Sequence, residues 1–150
     1  MQPLVVIFHQ PPRDGDALLT ALLARARQVL VTHQVQLFTH AGGRVTVLPG
    51  RDPASGSHET FGERLARLVR EEGPGPGGLR GGLVVMGAGA VPLLTPDGAR
   101  RLVAAAASDA PIALTNNRFS SDVCAVGRAG ALRDLPPLPS DNALPRWLEE

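Results

Sequence analysis

Two stretches and one loop carry the residue types that could do chemistry. The first stretch is Gly87-Ala88-Gly89, directly after the apolar run Leu83-Val84-Val85-Met86. Two glycines one residue apart let the main chain turn sharply or come close to a ligand. The backbone amides of such a turn could hold a phosphate or a ribose, although a purely structural turn uses the same residues. The second stretch is Asn116-Asn117-Arg118-Phe119-Ser120-Ser121-Asp122. Its two amides could read a nucleobase edge or a hydroxyl, and Arg118 could meet a phosphate. Asp122 is the carboxylate best placed to take a metal. Asn, Ser and Asp also tolerate left-handed backbone, so an ordinary turn accounts for the same composition. The loop His9 to Gly15 carries Arg13 beside Asp14, with Asp16 following. Arg13 could neutralise a phosphate or be a solvated loop charge.

Other reactive types are scattered. His58 and Glu59 precede an expected helix, where an anion could bind or a cap could form. His9, His33 and His40 have no metal-ligand spacing and are given no role. No Ser-His-Asp or Cys-His arrangement can be argued from chain order. Cys124, the one cysteine, lies in Val123-Cys124-Ala125-Val126 and reads as a buried thiol. A disulfide within the chain and a cysteine metal cluster are both excluded.

The elements that must position these groups follow from periodicity. Leu4-Val5-Val6-Ile7-Phe8 and Leu83–Met86 are short apolar runs, suited to strands covered on both faces. Leu18, Leu19, Leu22, Leu23, Ala26 and Leu30 recur at helical spacing, predicting a helix capped by Asp16 that ends near Val31, with this stripe toward the core. Val35–Thr39 and Arg44–Leu48 alternate as strands do, and Gly42-Gly43 between them could close a hairpin. Ser57 or Thr60 would cap a helix with Phe61, Leu65, Leu68 and Val69 on one face, and Glu63–Arg67 and Arg67–Glu71 as i,i+4 pairs outside. Gly73 to Gly78 alternates glycine and proline and reads as a surface connection. Thr95-Pro96-Asp97 is a helix start: a cap, a first-turn proline and an acid at the positive end of the dipole. That helix is expected to reach Ala107. Strands at Pro111–Leu114 and Val123–Val126 and a last short helix after Ser140, with Leu144, Trp147 and Leu148, complete the pattern. Strands alternating with helices predict a single α/β domain over residues 1–150, three-layered, with a mostly parallel sheet and helices on both faces. In such sheets ligands bind where strands end and helices begin.

Composition limits the functions available. All 15 basic residues are arginine, so lysine Schiff-base chemistry and a P-loop are excluded. A net charge of +1 and the absence of tyrosine argue against nucleic acid as a partner. The N-terminal apolar run is too short for a signal peptide or a membrane span, which makes a cytoplasmic protein the default expectation.

Phe61-Gly62-Glu63-Arg64-Leu65-Ala66, then Val84-Val85-Met86-Gly87, then Val91-Pro92-Leu93-Leu94-Thr95-Pro96, resembles the nucleotidyltransferases of the nucleotide-diphospho-sugar transferase (GT-A-like) fold. The molybdenum-cofactor guanylyltransferase-like and phospholactate guanylyltransferase-like branches are nearest in pattern. The resemblance implies transfer of a nucleotidyl group from an NTP to a small phosphorylated acceptor, assisted by Mg²⁺. It assigns Arg13, Gly87, Ala88, Gly89, Asn116, Asn117, Arg118 and Ser121 to the nucleotide and acceptor, and Asp122 to catalysis and the metal. A second copy of the chain is left open as a partner. Where the family places an Asp two residues before the proline, this chain has Ala90, and the family's downstream Lys has no counterpart. The family's second metal-binding carboxylate falls beyond Glu150. A C-terminally truncated chain, or a degenerate member that binds a nucleotide or a protein without catalysis, is the alternative expectation.

Overall fold

Leu4, Val5, Val6 and Ile7 are all 0% exposed, which requires a strand covered on both faces. The computed structural model describes residues 2–11, 13, 15, 17–50, 58–72 and 81–149. The strand is β1 (Leu4–His9), at the centre of one flank of an open five-stranded sheet. In chain order come α1 (Leu18–His40), β2 (Arg44–Pro49), α2 (Phe61–Glu71), β3 (Leu83–Gly87), α3 (Pro96–Ala106), β4 (Ala113–Thr115), β5 (Val123–Val126) and α4 (Leu144–Glu149). The strands lie in the order β2-β1-β3-β5-β4. β1 pairs in parallel with β2 and with β3, whereas β5 runs antiparallel to both β3 and β4. The sheet is therefore mixed rather than mostly parallel in its pairings. A seven-residue loop joins β4 to β5, too short for a crossover, so this pair must be an antiparallel hairpin.

Alternate residues of the strands feed two cores. Leu4, Val6, Leu83, Val85, Cys124 and Val126 pack under α2, the 3-10 turn Ala129–Asp134 and Leu144 of α4. Val5, Ile7, Val84, Met86, Val123 and Ala125 pack under α1 and α3 through Val31, Phe38, Ala99, Leu102, Val103 and Ala106. Cys124 is buried, and burial pushes its thiol up to about 12. Gly82, just before β3, lies against the end of α3, where a Cβ would run into the Ala106 carbonyl. No helix among the described residues is long and apolar enough to cross a membrane.

Residues 35–39 are helix, not strand, and no hairpin forms at Gly42-Gly43. Val31, Gln34, Val35 and Phe38 also fit a 3.6-residue period, and a five-residue window cannot separate the two readings. The diglycine closes the helix instead. Gly42 has φ +92°, its N–H donates to Thr39 O at 3.0 Å, and Gly43 N–H donates to Phe38 O at 2.9 Å. Those two bonds make a Schellman motif. The leucine stripe also faces the other way. Leu18, Leu19, Leu22 and Leu23 are 88, 68, 62 and 50% exposed, and the face toward the sheet is Ala24, Val31, Gln34 and Phe38. Ala17 is the N-cap residue of α1, with no side-chain bond. The expected caps Asp16 and Ser57, and the glycine-proline run 73–78, lie outside the described residues.

Two helix starts follow the sequence reading closely. Thr95 Oγ1 accepts from Gly98 N–H at 3.1 Å, with Pro96 in the first turn. Thr60 caps α2 in a reciprocal box: Glu63 N–H donates to Thr60 Oγ1 at 3.3 Å and Thr60 N–H donates to Glu63 Oε2 at 2.8 Å. Glu63 is thereby drawn away from Arg67, which pairs with Glu71 at 3.2 Å and with Glu59. α3 stops at Ala106, β4 begins two residues later than expected, and Ser140 makes no side-chain cap bond.

Thr60→Ala is expected to cost about 1 kcal/mol in chemical denaturation at neutral pH. The bonds from the Thr60 backbone and hydroxyl hold the Glu63 carboxyl below its usual value. A depressed carboxyl contributes above its unfolded pKa and loses that contribution as pH falls. The gap between wild type and Thr60→Ala therefore shrinks on acidification through about pH 4. Gly82→Ala should destabilise by more than about 2 kcal/mol, since backbone rather than a movable side chain blocks the new methyl.

Candidate functional site

The C-terminal ends of β1, β2 and β3 meet at one edge, in line: His9 pairs with Pro49 and Phe8 with Gly87. The ladder continues one residue past the strands. Gly50 N–H donates to His9 O and Ala88 N–H donates to Phe8 O, each at 2.7 Å. Between these ends is a cleft of about 300 Å³ lined by Phe8, Gln10, Arg27, Gly50, Gly87 and Ala88. A Cβ on Gly87 would meet nothing within 4 Å, so the main chain there is open to a ligand.

The turn after β3 is held firmly. Ala90 N–H donates to Gly87 O at 3.1 Å, with Gly89 at φ +91°. Val91 follows at φ 41°, a conformation that costs a β-branched residue strain. Gln34 of α1, fully buried, donates from Nε2 to Ala90 O at 2.6 Å and so fixes the turn to the helix. One helical turn and a half earlier, Gln28 Oε1 meets His9 Nε2 at 2.8 Å. Arg27 lays its side chain beside Gly89, where a Cβ would stand 3.2 Å from Arg27 Cγ. Among the described residues no hydrogen bond or ion pair engages the Arg27 guanidinium. On the far side of β1, Phe8 meets Phe61 edge to face at 6.0 Å, and the Arg64 guanidinium lies 4.5 Å over the Phe8 ring while donating to Pro49 O.

Gly87 and Ala88 thus line the cleft, and Gly89, beside Arg27, forms its shoulder. Arg13 is exposed in the loop after β1, at the same edge but not among the lining residues. The residues 116–122 form the loop of the β4–β5 hairpin, also at this edge, with β5 next to β3. Their polar groups bond mainly to one another. Asn116 donates from Nδ2 to Asp122 Oδ2 at 2.8 Å and accepts from Asp122 N–H at 3.0 Å. Asn117 Oδ1 accepts from Phe119 N–H at 2.9 Å, and Ser121 Oγ meets Thr115 Oγ1 at 2.6 Å. Arg118 pairs with Glu149 at 2.5 Å and lies over the Phe119 ring. The bonds within the loop are those a self-supporting turn makes, and the Arg118–Glu149 pair ties the loop to α4.

A Mg²⁺ ion finds little to hold it among these groups. Asp122 already accepts from Asn116, and no group of three or more His, Cys, Asp or Glu side chains converges among the described residues. The start of α2 does not suit an anion. Glu63 occupies the helix end, and Glu59, held low by its bonds from Arg67, adds a second negative charge. Asp14 and Asp16 lie outside the described residues.

Sequence reasoning missed Arg27, Gln28 and Gln34. All three sit on α1, whose inward face had been assigned to the leucines. The spacing 24, 27, 28, 31, 34, 38 was the available signal, and two of those positions being glutamine concealed it.

In comparisons with protein-family models, curated proteins and solved structures, nothing matches this chain. Gln34→Leu should remove the clamp on Ala90 at a cost of about 1–3 kcal/mol, since the carbonyl is left without its partner. Hydrogen exchange at residues 89–91 should rise with it.

Proposed function

We propose that the chain binds the phosphate groups of a nucleotide or a similar phosphorylated small molecule at the strand-end cleft. The observation that carries this reading is Arg27: an exposed guanidinium, without a partner among the described residues, over a glycine turn that a ligand can approach. An arginine fork suits phosphate oxygens bidentately. The Gly89 N–H, which donates to no acceptor in the described backbone bonds, adds a neutral donor on the same shoulder. Phe8 and Gly50 provide apolar and main-chain surface for the rest of the ligand. What the residues do here is bind and orient; no group among those lining the cleft is placed to move a proton.

A second reading is a nucleotidyltransferase of the nucleotide-diphospho-sugar transferase type, joining an NTP to a phosphorylated acceptor with Mg²⁺. One observation favours it. The hairpin loop bearing Asn116, Asn117, Arg118, Ser121 and Asp122 stands at the same sheet edge as Gly87–Gly89, about 5 Å per strand away. That loop would then take the acceptor or the base. Among the described residues no further His, Cys, Asp or Glu joins Asp122 in a group of three, which weighs against it.

Thermal shift with ATP, GTP, CTP, UTP and inorganic pyrophosphate, each with and without Mg²⁺, tests both. A ligand at about 100 times its Kd adds about 2.7 kcal/mol, a rise of about 5–10 °C for this length of chain. Metal-independent stabilisation that weakens about 10- to 100-fold in apparent affinity in Arg27→Ala is the expected result. Stabilisation only with Mg²⁺, abolished in Asp122→Asn, would favour the transferase. No shift with any of these ligands on folded protein would remove both readings.

A further inference from the structure

α1 carries apolar residues on two opposite sides, and only one of the two is buried. Its inward face carries Ala24, Val31 and Phe38, of which Val31 and Phe38 join the core over the sheet. The opposite side carries Leu19, Leu22, Ala26 and Val29, all exposed, within about 80° of one another on a helical wheel. The spacing of three, four and three is a two-heptad seam left exposed. Leu18 and Leu23 flank it. The seam lies mostly beyond the sheet: α1 spans about 34 Å against about 20 Å for β1, and its contacts with the strand ends begin at Arg27 and Gln28.

We propose that a second copy of this chain covers the seam, as an antiparallel pair of α1 helices about a two-fold axis near residue 24. The pattern is self-complementary, as an isologous interface requires. With the axis there, Leu19 lies against Val29 of the second copy, and Leu22 against Ala26, so large residues meet smaller ones in each layer. Four leucines and a valine, 50–88% exposed, present roughly 600 Å² per copy. Complete burial of this surface would bring two copies to at most about 1,200 Å², the lower bound for a specific interface. The same register sets the two Arg25 side chains near the axis, on one flank. Their repulsion makes the dimer tighten as salt rises, because screening relieves it. An anionic lipid surface, the other occupant such a helix could take, would be held less tightly as salt rises.

Sedimentation of the full chain should give a species of twice the 15.7 kDa chain mass, with a dissociation constant that falls with added salt. Leu22→Glu should sediment as a monomer with an unchanged far-UV spectrum and a cooperative melt, since Leu22 is 62% exposed and belongs to neither core. Register is read separately by oxidising an equal mixture of Leu19→Cys and Val29→Cys chains; Cys124 is buried and does not compete. Disulfides joining the two different chains are expected to dominate. A monomer at every concentration, whether or not it binds anionic vesicles, would overturn the proposal. So would a dimer that survives Leu22→Glu, or one that links Leu19→Cys chains to each other.

Discussion

Burial of β1 on both faces is the constraint from which the rest of the molecule follows. A strand with four successive residues shut off from water must be flanked by paired strands and covered by helices above and below. Parallel pairing with β2 and β3 meets the first need. It also forces long connections, and α1 and α2 are those connections. Because β1, β2 and β3 run the same way, their C-terminal ends open together on one edge. The cleft is a consequence of that direction, not an addition to it.

α1 ties the cleft to the core. In its second half Val31 and Phe38 anchor it in the core over the sheet, and Gln34 reaches the carbonyl of the strained turn. Near its middle Gln28 meets the last residue of β1 and Arg27 leans over Gly89. Its first half leaves the sheet and carries its leucines outward. One helix thus supports the fold at one end, forms a wall of the cleft in the middle, and presents an apolar surface at the other end. The hairpin of β4 and β5 is held differently, by short hydrogen bonds among its own loop residues, and owes little to α1.

How much of this was legible in the sequence depended on how local each signal is. The strand at Leu83–Met86, the turn at Gly87–Gly89 and the caps at Thr60 and Thr95 were readable because a few adjacent residues determine them. The α/β class followed from the alternation of such segments. The direction of α1 was not legible. Leucines at 18, 19, 22 and 23 make the stronger stripe, and only the tertiary arrangement shows that the sheet lies under the weaker one with Gln34 in it. Val35–Thr39 alternated well enough to pass as a strand, and Gly42-Gly43 serves a helix end as readily as a hairpin. At the cleft, the glycine turn was legible because its residues are adjacent in the sequence. Arg27 was not, because its importance comes from reaching a loop sixty residues away. The polar stretch 116–122 reads as a turn and as a ligand site alike, and only geometry shows how far its groups, Asn116 and Asp122 above all, are used by one another.

The most direct test of the central claim is an amide and arginine side-chain NMR titration of the folded protein with a nucleoside triphosphate and with pyrophosphate. The account predicts perturbations concentrated at residues 8–10, Gly50, residues 87–91 and the Nε–H of Arg27, saturating together. Saturating shifts confined to another surface, or none at any of these positions, would contradict it.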